Sequence, residues 1–588
     1  MLLIFSMIFG AFPFCRGRKN NFAGELGFGM ACSLAFFTGG GYILFLVGGG
    51  FLGKYLLYLP FAAGTADLIF RRDFWKEKIL ALQRFSPVQA LPFLAGVIFF
   101  VLLFFLAAED SFPCGWDPAF HAILAEKLLR TGEMSRNWLP FENIPLNYPQ
   151  GIHLVTALYA AASGATVLTS LKILMLAFTL AVTLLCVGLG ERAFPGRKAG
   201  LYAAFAYLSF GGMATAVNFW GWGGYPTFGC FLYFAALVFG AWHYPGKWFL
   251  FSSLLFLWGA LSLTHCLALL MILLVMAVWS FRLFAERKKY GWKMAPVYGI
   301  WKKLFFSGVF AVLTFLPCLV FQYGVSGGVG AESDAFFFTE EPLFTPGMIW
   351  EDGAFLFPAG ILGAVLYLWE RRKRKKNSLA AFLLLSALTV FLVFLFLGYP
   401  FRKWVALPLT GKEFSILVPS RFMSFACFLL VVFAGFFLAK LFSCLEKFSW
   451  KKGLESAVLL LLCFWGGASF YLGNTGNFST LEALKRSEEL KKILPENAYL
   501  VVDPSRISYA HFLPYLLWKP CVTNPIPASE DRRGVRGAIS LFLETPRENM
   551  DFSRIRAFET ERNCKVYYAI IPVNEENTPV KLFPAMGK

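Results

Sequence analysis

The chain has 588 residues, 57% hydrophobic and 18% aromatic with only 15% charged, at a mean hydropathy of +0.60. No water-soluble domain of this size normally combines those values, so a bilayer has to be its solvent. The formal net charge of +18 falls in short Lys/Arg clusters between apolar runs, the pattern of topogenic charge facing anionic lipid, and it argues against nucleic acid as a partner.

A helix needs about 20 apolar residues to cross the hydrocarbon core. Taken in chain order, Met1 to Phe14 is a short span or interfacial anchor, because its basic residues Arg16, Arg18 and Lys19 follow the apolar stretch instead of preceding it as in a signal sequence. Apolar runs cover Gly27 to Gly50 and Tyr55 to Phe70, the latter ending at Arg71, Arg72, Lys76 and Lys78, and another runs from Ala90 to Ala108. That arrangement puts Glu109 to Gln150 outside. Further spans are expected at Gly151 to Gly190, Gly200 to Val217, Gly229 to Trp242, a tight pair between Trp248 and Phe281, Leu304 to Phe321, Ala354 to Trp369, Leu379 to Leu397, Phe422 to Leu441 and Leu454 to Leu472. The total is about 13 crossings, and Arg192/Arg197/Lys198, Arg287/Lys288/Lys289, Arg371 to Lys376 and Lys447/Lys451/Lys452 then share one face, the cytoplasmic one.

After Leu472 the chain becomes a mixed polar tail, expected outside, of about a hundred residues, within reach of an independent domain. Leu481 to Ile493 has helical spacing and stops before Pro495, while Tyr499 to Val502 and Val566 to Ile571 read as short strands, so the tail is expected to be α/β. The 12 Cys include no CxxC pair and lie mostly in apolar runs as small core residues; Cys114 with Cys521 or Cys564 is the external combination that could pair. No Walker loop or dinucleotide glycine motif occurs, so neither a nucleotide nor a redox cofactor is expected.

The most informative segment runs from Glu109 to His121. Asp117 followed by Pro118 predicts a helix start, with Phe120, Ile123, Leu124 and Leu128 on one apolar stripe and a stop near Gly132: a helix lying on the outer membrane surface. Asp117 and His121 are one turn apart. Either Asp117, with Glu109 or Asp110, takes a proton from an acceptor hydroxyl or holds a divalent cation together with His121, or Asp117 only caps the helix and His121 is interfacial. Asn147 to His153 closes the same loop; Tyr148 and Pro149 form a rigid turn, and His153 projects from the first turn of the next helix, whose amino end attracts anions. His265 sits at the turn of the tight helical pair, where a polar side chain needs a partner or a wet cavity. Arg402, Lys403 and Arg421 oppose the positive-inside trend and so suit an anionic ligand such as a lipid phosphate, although Arg421 could instead pair with an external carboxylate. The loop from Trp220 to Pro226 reads as an aromatic belt or a sugar-stacking surface.

These features together resemble the GT-C superfamily of membrane glycosyltransferases: acidic residues just after an early span (Glu109, Asp110, Asp117), the surface helix from Trp116 to Gly132, Tyr148-Pro149 leading to His153, Pro419-Ser-Arg421-Phe opening a late span, and a C-terminal domain outside. The resemblance implies an all-α polytopic membrane enzyme with a small C-terminal α/β extracytoplasmic domain. The helices in residues 1–88 look like additions to the usual plan of that superfamily, in which the catalytic loop follows the first helix; the resemblance implies a catalytic module in 89–473 with the external loop 109–150, and the external domain in 474–588. The expected reaction moves a sugar from a polyprenyl-phosphate donor to a glycan, lipid or protein acceptor outside the plasma or cytoplasmic membrane, with inversion. Asp117, Asp110 or Glu109 would be catalytic, His121, Tyr148, His153, His265, Arg402 and Arg421 would bind substrate, and Mg or Mn is the metal such a site would take. The WWDYG signature of oligosaccharyltransferases is missing, so peptide N-glycosylation is not expected. Other classes compatible with the spans are a secondary transporter or lipid flippase, whose polar residues would line the membrane centre, and a noncatalytic scaffold.

Overall fold

The computed structural model describes residues 2–15, 21–83, 111–113, 116–141, 146, 148–195, 198–209, 224–244, 248–290, 295–323, 338–339, 355–371, 378–411, 413, 415–416, 419–444, 455, 457–458, 461, 478–502, 507, 509–521, 553–571 and 580–584. The expected spans Ala90 to Ala108 and, for the most part, Leu454 to Leu472 lie outside these residues, as do Glu109, Asp110, Cys114 and Trp220 to Gly223.

The chain is an integral membrane protein with an all-helical membrane-embedded part. Among the described residues five helices are long and apolar enough to cross a bilayer: Phe22–Leu46, Val167–Ala193, Tyr225–His243, Ser378–Gly398 and Arg421–Cys444. The helices Ala295–Thr314 and Leu316–Tyr323 are together as apolar as a span but meet at a bend of 65°, the shape of a broken span or a re-entrant loop. Pro317, in the first turn after the bend, has no N–H for a regular helix to use. The ring of Phe315 at the bend packs where Gly39 and Gly259 carry no side chain. Apolar helices too short to span by themselves include Gly151–Ser163, Ala199–Ser209 and Leu356–Arg371.

Helix Phe22–Leu46 is the hub. It packs against Gly151–Ser163, Val167–Ala193, Tyr225–His243 and Trp248–Thr264, and its residues are buried on all sides, so the helix shows no amphipathic stripe. Near its first turn the buried Glu25 pairs with His243 at 2.9 Å, two ionisable groups that satisfy each other away from water. The run expected as Gly151 to Gly190 divides into two helices at Gly164, whose φ of +68° closes the first one in a conformation that favours glycine. Thr166 then caps the second by accepting from the Thr169 amide. Helix Pro419–Cys444 lies against Leu356–Arg371 so closely that a Cβ on Gly363 would collide with the Phe433 carbonyl, and this contact helps fix the helix that carries Arg421.

In the tail, Ser479 caps helix Thr480–Ile493 through the Glu482 amide at 3.1 Å, and the helix ends before Pro495. Strand Ala498–Val501 runs parallel to Lys565–Ile570, which pairs antiparallel with Lys581–Pro584. Cys521 is buried and Cys564 half-buried. A two-residue ladder joins Ser111–Phe112 to Phe478–Ser479, and Phe512 packs edge-on against Phe112 at 5.5 Å, so the start of the first long loop and the start of the tail lie at one end of the bundle.

Candidate functional site

The site is built on helix Trp116–Thr131, hereafter the loop helix. It starts at Trp116, two residues earlier than expected from Asp117 as the cap and Pro118 as the first helical residue, which puts Asp117 inside the first turn, where a carboxylate is favoured by the helix dipole. Gly132, at φ +67°, stops it. Ile123, Leu124 and Leu128 are buried as the apolar stripe requires, with Ile123 and Leu124 against Trp138, Phe141 and Leu146 of the following loop.

Asp117 Oδ2 lies 3.8 Å from a guanidinium nitrogen of Arg421, which projects from the first turn of helix Pro419–Cys444. The Asp117 side chain is 46% exposed and that of Arg421 24%. Burial raises its carboxyl above the ordinary aspartate range and the Arg421 charge draws it back down. The same cation reaches the buried His265, where helices Trp248–Thr264 and Cys266–Tyr290 meet, and the Asp117 charge reaches the Tyr225 hydroxyl.

One turn along the loop helix, His121 Nδ1 lies 2.8 Å from His153 Nε2, and the two rings stack with centroids 5.0 Å apart. One nitrogen of this pair donates and the other accepts, so His121 is held by His153 in the way Asp117 is held by Arg421. Tyr148 stands beside both rings at 6.0 and 5.7 Å, Tyr225 stands 5.4 Å from His121, and Phe120 bridges Tyr148 and Trp138. Six residues singled out in the sequence therefore meet here: Asp117, His121, Tyr148, His153, His265 and Arg421. Arg402 stands apart from them, buried to 6% exposure in a π-helical turn, Arg402–Ala406, and its Nε has no hydrogen-bond partner among the described residues. Lys403 of the same turn pairs with Glu413.

The loop helix is clamped from two sides. Lys127 is buried and donates to the Asn137 carbonyl at 2.7 Å and to the Leu139 carbonyl. From the tail, Trp518 lies under the Arg130 guanidinium at 4.6 Å and edge-on to Phe141 at 5.0 Å. Trp518 has φ +55°, a left-handed conformation that a non-glycine residue adopts only when its surroundings hold it there. Tyr225, Lys127 and Trp518 were not apparent as site residues from the sequence. Tyr225 belongs to the aromatic loop noted there, but Lys127 reads as an ordinary solvated helix charge and Trp518 has no local pattern to mark it.

A divalent cation would need at least three oxygen, nitrogen or sulfur donors converging on one point. Among the described residues no three His, Cys, Asp or Glu side chains do so. Asp117 faces Arg421 and His121 faces His153, so the two expected ligands do not form a metal cradle and no step is routed through one.

No family model and no curated protein matches the sequence. Among solved structures the chain is similar to ArnT from Cupriavidus metallidurans. The apo form matches with a TM-score of 0.49 and 15% identity over 83% of this chain and 94% of that one. The form bound to undecaprenyl phosphate matches with a TM-score of 0.47 and 13% identity over 82% of this chain and 92% of that one.

Proposed function

We propose that the chain is a membrane glycosyltransferase of the GT-C type that moves a sugar from a polyprenyl-phosphate donor onto an acceptor hydroxyl at the membrane face carrying the loop helix. The observation that carries this reading is the Asp117–Arg421 pair, an acid–base group and a phosphate-compatible cation 3.8 Å apart at the end of an apolar helical bundle. In the proposed step Asp117 takes the proton of the acceptor hydroxyl. The freed oxygen electron pair attacks the anomeric carbon, the bond from that carbon to the phosphate oxygen breaks, and its electrons leave with the phosphate, whose charge Arg421 stabilises. A single displacement of this kind inverts the anomeric centre. As Arg421 turns toward phosphate it withdraws from Asp117, which makes the carboxylate a stronger base at the moment a base is required.

In this reading the short apolar helices and the spans outside the described residues complete about 13 crossings. The tail lies outside the membrane, on the same side as the loop it pairs with. Arg402 is a second cation for an anionic group of donor or lipid, since a buried guanidinium cannot shed its charge. Glu109 and Asp110 remain proposed partners of Asp117.

The test is transfer of radiolabelled sugar from polyprenyl-phosphate donors to membrane acceptor extract by purified protein in lipid, comparing the parent with Asp117→Asn and Asp110→Asn. Loss of turnover in Asp117→Asn with donor binding retained supports the assignment. No turnover by the parent with any donor would sink it.

A further inference from the structure

Next to the histidine pair, two glutamines are buried with half of each amide unused. Gln150, three residues before His153, and Gln322, near the end of the broken helix, are each 2% exposed. Gln150 Nε2 donates to the Ser135 carbonyl at 2.8 Å. Gln322 Oε1 accepts from the Tyr42 hydroxyl at 3.0 Å and from the Gln150 amide N–H at 3.4 Å. These bonds fix which end of each side chain is which: the Gln150 backbone N–H can only donate, so Gln322 must turn its oxygen toward it, and the Ser135 carbonyl can only accept, so Gln150 must turn its nitrogen toward that. What remains is a buried acceptor, Gln150 Oε1, and a buried donor, Gln322 Nε2, neither with a partner among the described residues. The two side chains share a neighbourhood, because Gln322 bonds the Gln150 backbone and Arg136, next to Ser135, lies over the Phe321 ring at 4.5 Å.

Buried amide groups of proteins are nearly always satisfied, and leaving two open in one place is costly unless something fills them. A carboxylate would meet the Gln150 oxygen unfavourably and an ammonium would meet the Gln322 nitrogen unfavourably, whereas a hydroxyl donates to the one and accepts from the other. The geometry points to a hydroxyl-binding subsite in which Gln150 Oε1 and Gln322 Nε2 hold one sugar hydroxyl and thereby select among sugars. This inference rests on the transferase reading for its choice of ligand, and the hydroxyl could belong to either the donor sugar or a glycan acceptor.

Gln322→Glu, measured at a pH where the new carboxyl is ionised, is the informative variant, since it keeps the oxygen that Tyr42 and the Gln150 amide require and replaces the donor by a second acceptor. Two measurements on the full-length protein in lipid nanodiscs test the subsite: saturation-transfer NMR with a series of methyl hexosides, methyl pentosides and their monodeoxy derivatives, and transfer kinetics with polyprenyl-phosphate sugars. Gln322→Glu is expected to weaken binding of the preferred glycoside about tenfold while still unfolding cooperatively, and the one deoxy sugar that lacks the held hydroxyl should bind parent and variant alike. The KM that rises, for donor or for acceptor, identifies the source of the hydroxyl. Should Gln322→Glu fail to fold, the deoxy series on the parent decides, one position losing affinity and the others not. Equal binding of every glycoside by parent and variant, or no binding by the parent, overturns the subsite and leaves water as its occupant. Glycoside binding without any transfer overturns the transferase reading and keeps the subsite, and transfer with unchanged KM values in Gln322→Glu does the reverse.

Discussion

The carboxylate of Asp117 and the guanidinium of Arg421 face each other at 3.8 Å although one belongs to the first long loop and the other to the last described long helix. Replacing the carboxylate by an isosteric amide, Asp117→Asn, removes the proton acceptor with little change in shape. Turnover is expected to fall about 100- to 10,000-fold, the usual contribution of a positioned general base, with donor affinity retained. Single-turnover kinetics beside equilibrium donor binding separates the two effects.

The pH profile reports the same pair. Asp117 must be ionised to act, burial raises its carboxyl, and Arg421 lowers it. Activity therefore falls as pH drops through that pKa. In Arg421→Gln the lowering is lost, so the acid limb of kcat/KM moves to higher pH, while the plateau falls about 100-fold or more from lost phosphate stabilisation. An acid limb that stays in place would separate Asp117 from the reaction.

Lys127 offers a prediction about stability. Burial pushes its amine down to about 8, whereas in the unfolded chain it titrates near 10.5. Between those values the unfolded chain holds more protons, so the contribution of Lys127 to stability rises with pH across that window. Lys127→Met abolishes that rise. It also leaves the Asn137 and Leu139 carbonyls without their donor, at a cost of about 1–3 kcal/mol. Thermal unfolding of both proteins from pH 7.5 to 10.5 checks slope and offset together.

Trp518 separates backbone strain from side-chain contact. Trp518→Ala and Trp518→Gly both lose the ring under Arg130, but glycine adopts φ +55° without penalty, so the glycine variant should be about 1 kcal/mol the more stable of the two. Both should show faster hydrogen exchange in the loop helix and lower kcat than the parent, because the clamp on that helix is gone.

The loop helix and its histidine were legible in the sequence because their signals are local: Asp117-Pro118 near the start, an apolar stripe, and Gly132 at the end. Tyr148 and His153 were likewise carried by one short segment that opens a helix. The helix of the tail, Thr480–Ile493, was legible from its spacing and from Pro495. The pairings were not, since Asp117 with Arg421, His121 with His153, and Gln150 with Gln322 join parts of the chain that no periodicity connects. Hydropathy also cannot tell a straight span from a broken one, and so Gly151 to Gly190 and Leu304 to Phe321 each read as one run where the structure has two helices. Lys127 was hidden by its type, because a lysine on a helix is nearly always solvated.

The two-residue ladder between Ser111–Phe112 and Phe478–Ser479 ties the timing of the site to synthesis of the chain. The residues that flank Asp117 on its N-terminal side leave the ribosome well before the strand they pair with, the Arg421 helix and the Trp518 clamp. During insertion the loop helix therefore meets its nearby partners, Trp138, Phe141, Tyr148 and His153, before its distant ones, and a nascent chain cut short before Phe478 lacks both the ladder and the Trp518 clamp. The site is in this sense closed in two stages of biogenesis, its local contacts first and those from later segments afterwards.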